Sequence, residues 1–336
     1  MKFADHLKHA ADRDTLRLHT PGHKGRLCAL DLTELSDGSF PDVAIAEAEA
    51  RIAAHYKARH ARMLCGGSSQ GVKSAIYATG ASGVADVNSH RSVSDGFLLS
   101  GKSATYVGRR GDVTPVTLDE IKRGLKPSDG AVVVTSPTYY GYCADVDGIS
   151  AFCKSRGLTF IIDGAHGAHF GASDLLPQGF ADRCDICNVS AHKTLSALTQ
   201  SAILLDNLDD ARHAALDSAV EIMGTTSPSY LLYSSIDGAV DRLGCAADRY
   251  AALYAPIESL KREFPFLKND DFTRLVLDCA ALGADAGRLN AALCRRGVFS
   301  EMTDGQRIVF IVTADDEPQN IEILRGALTA AIAEQK

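Results

Sequence analysis

Three kinds of side chain in one half of this chain can do amine chemistry together. Residues 184–205 read CDICNVSAHKTLSALTQSAILL: an apolar run from Ile186 to Val189, a polar knot Ser190-Ala191-His192-Lys193-Thr194, and a second apolar run from Ser201 to Leu205. A lysine between two runs that read as buried strands is out of place as packing, because its ammonium is strongly hydrated. A turn tip would account for it. Against that reading, Ser190 and His192 can donate hydrogen bonds to an anion, and upstream the run IIDGAHGAH puts Asp163 at the end of another apolar strand. A lysine amine that forms a Schiff base, a carboxylate that keeps a ring nitrogen protonated, and N–H groups and hydroxyls that seat a phosphate are the requirements of pyridoxal 5'-phosphate. Lys193 suits the first role and Asp163 the second.

The phosphate seat has to come from the elements that surround these residues. Gly66-Gly67-Ser68-Ser69-Gln70-Gly71 opens a helix near Val72, and a Gly/Ser loop entering a helix offers free N–H groups, hydroxyls and the positive dipole end. The spacing is not GxxxxGK[ST], so it is not a nucleotide P-loop. Many such loops cap a helix and bind nothing. Val84 to Val87 reads as a strand ending in Asn88-Ser89-His90-Arg91-Ser92, where His90 can stack on an aromatic ring or serve the fold alone. Strand 131–135 leads into SPTYYG, helix 147–156 follows, and strand 158–162 ends at Asp163. Strand, polar loop, helix and strand in repetition predict an α/β fold with a mostly parallel sheet flanked by helices.

The remaining elements frame that sheet. A charged helix is predicted over residues 1–17, with Phe3, Leu7 and Ala10 on one face, followed by the loop LHTPGHKG. An Ala-rich helix runs from Asp42 to about Arg62. Past Leu205 come a helix over 209–223, a break at TTSPSY, and a long helix over 230–264 that Pro256 kinks or splits. Strands at 274–277 and 307–313 and a helix over 318–334 complete a smaller α+β unit. The expected division is an N-terminal segment over 1–40, a large domain over 41–228 and a small C-terminal domain over 229–336.

Composition narrows the functional class. The chain has 336 residues, 46% hydrophobic and 23% charged, and a net charge of -7, which argues against nucleic acid or an acidic membrane as partner. The start MKFADHLKHAADRD is not a signal peptide, and no apolar stretch approaches the roughly 20 residues that span a bilayer, so a cytoplasmic enzyme is expected. Nine scattered cysteines read as reduced thiols. Cys184 and Cys187 form a lone CxxC without further ligands at zinc spacing, so no metal is expected.

Seven motifs, LHTPGHKG, DLTEL, NSHRS, SPTYYG, DGAHGAH, SAHKTLSALTQ and TTSPSY, occur in this order, and together they resemble the major domain of the ornithine/lysine/arginine decarboxylase family, a fold-type I pyridoxal-phosphate group. The resemblance spans roughly residues 15–315. It implies that Lys193 carries the cofactor as a Schiff base and that Asp163 pairs with the pyridinium nitrogen. Ala165 would pack under the ring, His90 over it, and His166 beside the reacting carbon. Ser68, Ser69, Gln70, Ser190 and His192 would hold the phosphate, and Thr226 and Ser227 of TTSPSY would reach the neighbouring subunit's phosphate in a homodimer with shared sites. The implied reaction is decarboxylation of lysine, ornithine or arginine to an amine, with Glu301 of SEMTDGQ as a candidate for the cationic substrate tail.

The chain departs from the family pattern in places. Gly164 stands where the family usually has Glu after the ring-binding Asp, the phosphate loop reads CGGSSQG, and the further C-terminal domain that family members commonly carry is not in the sequence. Two other readings stay open: another reaction of the same cofactor, such as transamination or elimination, and a paralogue that binds the cofactor without catalysis. A metal hydrolase using His166 and His169 is the poorest reading, since two histidines three apart make a weak zinc site.

Overall fold

The computed structural model describes residues 1–13 and 16–335. Helices α1 (Phe3–Ala11) and α2 (Asp42–Tyr56) lead into strand β1 (His60–Leu64). Then come α3 (Gly67–Thr79), β2 (Gly83–Asp86), α4 (Arg91–Leu99), β3 (Ala104–Val107), α5 (Leu118–Gly124), β4 (Ala131–Thr135), α6 (Val146–Arg156), β5 (Thr159–Asp163) and β6 (Ile186–Ser190). The single turn α7 (Ala191–Thr194) precedes β7 (Ala202–Asp206), α8 (Asp210–Met223), α9 (Tyr230–Leu243) and α10 (Ala247–Glu263). The chain closes with β8 (Arg274–Asp278), α11 (Ala286–Cys294), β9 (Met302–Thr303), β10 (Arg307–Ile311) and α12 (Pro318–Ala333).

The first seven strands form one sheet in the order β1-β7-β6-β5-β4-β2-β3, and the last three form a second, β8-β10-β9. In the large sheet β7 alone is reversed: it pairs antiparallel with both β6 and β1, while β3, β2, β4, β5 and β6 are parallel neighbours. The mostly parallel sheet expected from the sequence is therefore present, with helices on its faces. Strands β4 and β5 read as near-continuous apolar runs because both of their faces are covered. Parallel strands joined by helices bring their carboxyl ends to one edge. The polar loops after β2, β4 and β5 and the turn α7 after β6 all lie there. Thr135 and Asp163 at the ends of β4 and β5 are in register with Asn188 in the middle of β6, so their side chains share one face of the sheet.

Three elements differ from the sequence expectation. The α2 helix stops at Tyr56, where Lys57 takes a left-handed conformation at φ 56° and its N–H caps the carbonyls of Ala53 and Ala54. His60–Leu64 is then free to be an edge strand on β7 rather than the end of the helix. The long helix over 230–264 is two helices that part around Gly244 to Ala246, while Pro256 is accommodated inside α10. The N-terminal helix ends at Ala11, and residues 14 and 15 of its expected span lie outside the described residues. Phe3, Leu7 and Ala10 are buried as their spacing predicts, and Phe3 packs against Phe40, Tyr230 and Tyr233. Among the described residues no helix is long and apolar enough to cross a membrane.

Candidate active site

Lys193 sits in the turn that ends β6, and its Nζ lies 3.2 Å from His166 Nε2 on the loop after β5. Burial pushes the lysine's proton affinity down, as does the charge of Arg274, while Asp163 and Glu301 pull the other way. The net fall leaves more free amine near neutral pH than an ordinary lysine has. His166 is buried, and burial, reinforced by Arg274, Lys193 and two neighbouring histidines, holds it well below the usual imidazole range. It is a neutral ring, so of His166 Nε2 and Lys193 Nζ one can donate and the other accept. Tyr139 packs edge-on against the ring at 4.6 Å, and His166 Nδ1 has no hydrogen-bond partner.

Asp163 is 3% exposed. The hydrogen bond that its side chain accepts within the chain is a long one, 3.4 Å from Ala165 N. Burial raises its proton affinity, and the charges of Lys193 and His90 offset part of that rise. A buried carboxylate with so little donor support suits a cationic N–H brought by a ligand. Its register neighbours add to the point: Thr135 Oγ1 and both amide atoms of Asn188 are buried without partners. Sequence reasoning missed these two residues, because only the pairing of β4, β5 and β6 shows that they flank Asp163.

The helix start at α3 forms the other end of the site. Gly66 is its N-cap, and Ser68 and Ser69 lie in its first turn, where backbone N–H groups have no intrahelical acceptor. Ser68 Oγ is 2.5 Å from Ser190 Oγ, so the Gly/Ser loop and the Lys193 turn meet through two hydroxyls. Gly71 is required where α3 crosses β6: a Cβ there would lie 2.1 Å from Asn188 Oδ1. His192 Nδ1 donates to the carbonyl of Ser201 at 2.9 Å, so, contrary to the sequence expectation, that donor is spent within the chain and not on an anion.

Other expected residues take different places. Gln70 departs from a direct anion contact: its Oε1 accepts from Gly66 N at 2.9 Å and its Nε2 donates to Val220 O at 3.1 Å, so the side chain braces the loop. His90 caps α4, with Nδ1 accepting from Ser92 N, and stays exposed near enough to Asp163 to influence its charge. Ala165 is buried beside the Lys193 turn, its carbonyl 3.4 Å from Ser190 N. Ser227 lies on the exposed loop between α8 and α9, and its N–H bonds to Thr225 Oγ1, away from the Lys193 group. Glu301 accepts a 2.5 Å hydrogen bond from Tyr139 O–H, and beside it Tyr140 O–H donates to Asp304 at 2.7 Å. These two adjacent tyrosines tie the loop after β4 to the strands of the second sheet. His169 does not join His166 in a metal set, since its Nε2 turns to Asp271 at 3.3 Å. The cluster His60, Asp206 and His213 could hold an ion by distance, but its imidazoles are stacked 3.7 Å apart and each Nδ1 faces its own carboxylate oxygen. One ion cannot lie in both ring planes.

Residues 26–253 match the family described as Orn/Lys/Arg decarboxylase, major domain. The chain belongs to that family. An arginine decarboxylase of Bacillus cereus is 26% identical over 366 residues, covering 94% of this chain and 79% of the relative. An arginine decarboxylase of Bacillus subtilis is 28% identical over 375 residues, covering 98% and 76%. Among solved structures, lysine decarboxylase A from Pseudomonas aeruginosa superposes with a TM-score of 0.80 at 18% identity, over 98% of this chain and 59% of that one. Serine palmitoyltransferase from Sphingomonas wittichii gives 0.73 at 17%, over 99% and 84%. These likenesses establish the fold-type I architecture.

Pyridoxal 5'-phosphate is the cofactor of this decarboxylase family, and the residues present fit it. An amine with lowered proton affinity, a buried carboxylate short of donors, and a helix start lined by two hydroxyls match its aldehyde, ring nitrogen and phosphate.

Proposed function

We propose that this decarboxylase acts on a basic amino acid, lysine, ornithine or arginine, and that Lys193, Asp163 and His166 do the work. The observation that carries the reading is the 3.2 Å approach of Lys193 Nζ to the neutral His166, with Asp163 close enough to bias the lysine's charge. When bound, pyridoxal phosphate supplies the electron sink for the carbon that loses carbon dioxide. Lys193, whose proton affinity burial lowers, would be the residue that holds the cofactor's aldehyde. Asp163 would hold the proton on the ring nitrogen. Ser68, Ser69 and Ser190, with the N–H groups of the α3 start, would hold the phosphate. His166, neutral and in contact with Lys193, can pass a proton to and from Lys193 Nζ, so that either returns one to the substrate carbon. Tyr139 covers the His166 ring and limits water there.

Glu301 is the group we assign to the cationic tail of the substrate. Its charge acts on Lys193, and the Tyr139 hydroxyl that it now binds can give way to a substrate ammonium or guanidinium. The relatives named arginine decarboxylase favour arginine among the three. We also take the working unit to be a homodimer. Leu16, Leu18 and Leu27 in the N-terminal segment are each more than 80% exposed, which a second copy of the chain would cover.

Carbon dioxide release tests the reading. Protein loaded with pyridoxal phosphate should release carbon dioxide and an equal amount of amine from one of L-arginine, L-lysine or L-ornithine. A keto acid without carbon dioxide would favour transamination, and no product from any of the three would overturn the proposal.

A further inference from the structure

The two tyrosines that cross from the loop after β4 to the second sheet meet acids that are held very differently. Tyr140 O–H donates to Asp304 at 2.7 Å, and Asp304 is engaged on every side. It accepts from Gln306 N at 3.0 Å and Arg307 N at 2.8 Å, and it pairs at 2.8 Å with the Arg307 guanidinium, which also lies over the Tyr140 ring. Glu301 is exposed, and among the described residues the Tyr139 hydroxyl, at 2.5 Å, is the sole donor to its carboxylate. One pair is anchored and the other can be exchanged.

The tyrosine side of the exchangeable pair is fixed. Asn269 Nδ2 donates to the Tyr140 carbonyl at 2.7 Å, and the Gly141 carbonyl accepts from the N–H groups of Asp270 and Asp271 at 3.1 Å each. The Tyr139 ring lies edge-on against His166 at 4.6 Å, and His166 Nε2 lies 3.2 Å from Lys193 Nζ. Of the two partners, the exposed Glu301 side chain is therefore the one that can turn. Burial, with the Glu301 hydrogen bond, pushes the Tyr139 phenol up, so its hydroxyl stays a neutral donor. Ammonium or guanidinium makes a charge-assisted bond to a carboxylate, roughly twice as strong as a neutral one.

We infer that Tyr139 is a specificity-determining residue: its hydroxyl occupies Glu301 until the cationic tail of a substrate displaces it. The inference rests on the assignment of Glu301 to the tail and deepens it. A cation repays the loss of the Tyr139–Glu301 bond, whereas a neutral tail of the same length leaves the pair closed. Only the fraction of molecules with Glu301 released is ready for a basic substrate, so the hydroxyl weakens the binding of every basic amino acid by that fraction. Because the Tyr139 ring also rests on His166, one side chain touches both the acid that reads the tail and the histidine beside Lys193.

The experiment compares basic amino acids with neutral ones of the same length. Wild type, Tyr139→Phe, Glu301→Gln and the double variant are loaded with pyridoxal phosphate. Each is titrated spectroscopically with L-lysine against L-norleucine, L-ornithine against L-norvaline and L-arginine against L-citrulline. Tyr139→Phe keeps the ring on His166 and removes the competing hydroxyl. It should tighten the basic amino acids about 3- to 10-fold, the worth of one modest hydrogen bond, and move the neutral ones less than about twofold. In the Glu301→Gln background the same change should leave the ratio of basic to neutral where it was. An unchanged ratio in Tyr139→Phe would overturn the inference, as would a gain that persists in the double variant. Weaker binding of the basic amino acids would also overturn it, by making the hydroxyl a support that holds Glu301 in place. If Tyr139→Phe does not fold, 3-fluorotyrosine placed at position 139 decides: its fluorine resonance should move with L-lysine and not with L-norleucine, and equal shifts would overturn the inference. Glu301→Gln that discriminates as wild type does would remove the tail assignment and this inference with it. Wild type that releases no carbon dioxide while Tyr139→Phe shows the selective gain would sink the decarboxylase reading and leave this one standing.

Discussion

Glu49 shows at the scale of one residue how this fold tolerates a charge. It lies on α2 beneath β1, where its Oε1 accepts from Met63 N at 3.0 Å and its Oε2 is 3.8 Å from Arg62. Burial raises its pKa to about 7 from 4.5, and Arg62 only partly opposes that. The folded state therefore holds its proton more tightly than the unfolded chain. The stabilisation from that proton is present in full below about pH 4.5 and is lost as pH rises towards 7. Glu49→Gln keeps an acceptor for Met63 N and removes the titration. Urea unfolding at about pH 5 and pH 8 should show wild type losing about 1–3 kcal/mol relative to the variant across that window. Parallel stability profiles would contradict it. Among the candidate site residues, Lys193 and Asp163 stand out in the sequence because a charge inside an apolar run is anomalous on its face. The burial of Arg274 was not legible, because in DFTRLVLD it stands at a strand's polar start and looks like an exposed boundary. Thr135 and Asn188 needed the sheet's register before they meant anything.

At the scale of elements, the strands that carry the site were readable because they are buried on both faces. Strands β4 and β5 are runs of apolar residues that end in polar positions, β6 is apolar but for Asn188 and its terminal Ser190, and no helix period competes with them. Strand β1 escaped because it follows a helix without a glycine or proline to separate them. The stop is Lys57, a residue that seldom takes the left-handed conformation and so gives no local warning. The break between α9 and α10 was misplaced for a related reason. Pro256 is the more obvious breaker, yet the helix accommodates it, and the chain parts at Gly244 to Ala246 instead. None of these shifts touches the loops after β4 and β5 or the turn α7, so the Lys193 group survived them.

At the scale of the molecule, the chain matches 98% of its own length to a lysine decarboxylase of which it spans 59%. The fold that the two share contains Lys193, Asp163 and the loops around them. Whether one chain suffices is a separate matter, and the exposed leucines of the N-terminal segment predict that it does not. Sedimentation equilibrium should give twice the mass of one chain at micromolar concentration, and Leu18→Asp with Leu27→Asp should shift it towards the monomer. A wild-type monomer at every concentration would contradict that prediction. The central claim is narrower: Lys193 is the residue to which pyridoxal phosphate attaches. Borohydride reduction of the loaded protein, followed by peptide mass mapping, tests it most directly. The account predicts one pyridoxyl group per chain on the peptide that contains Lys193, and none in Lys193→Ala. A label on another lysine, or an equal label in Lys193→Ala, would contradict it.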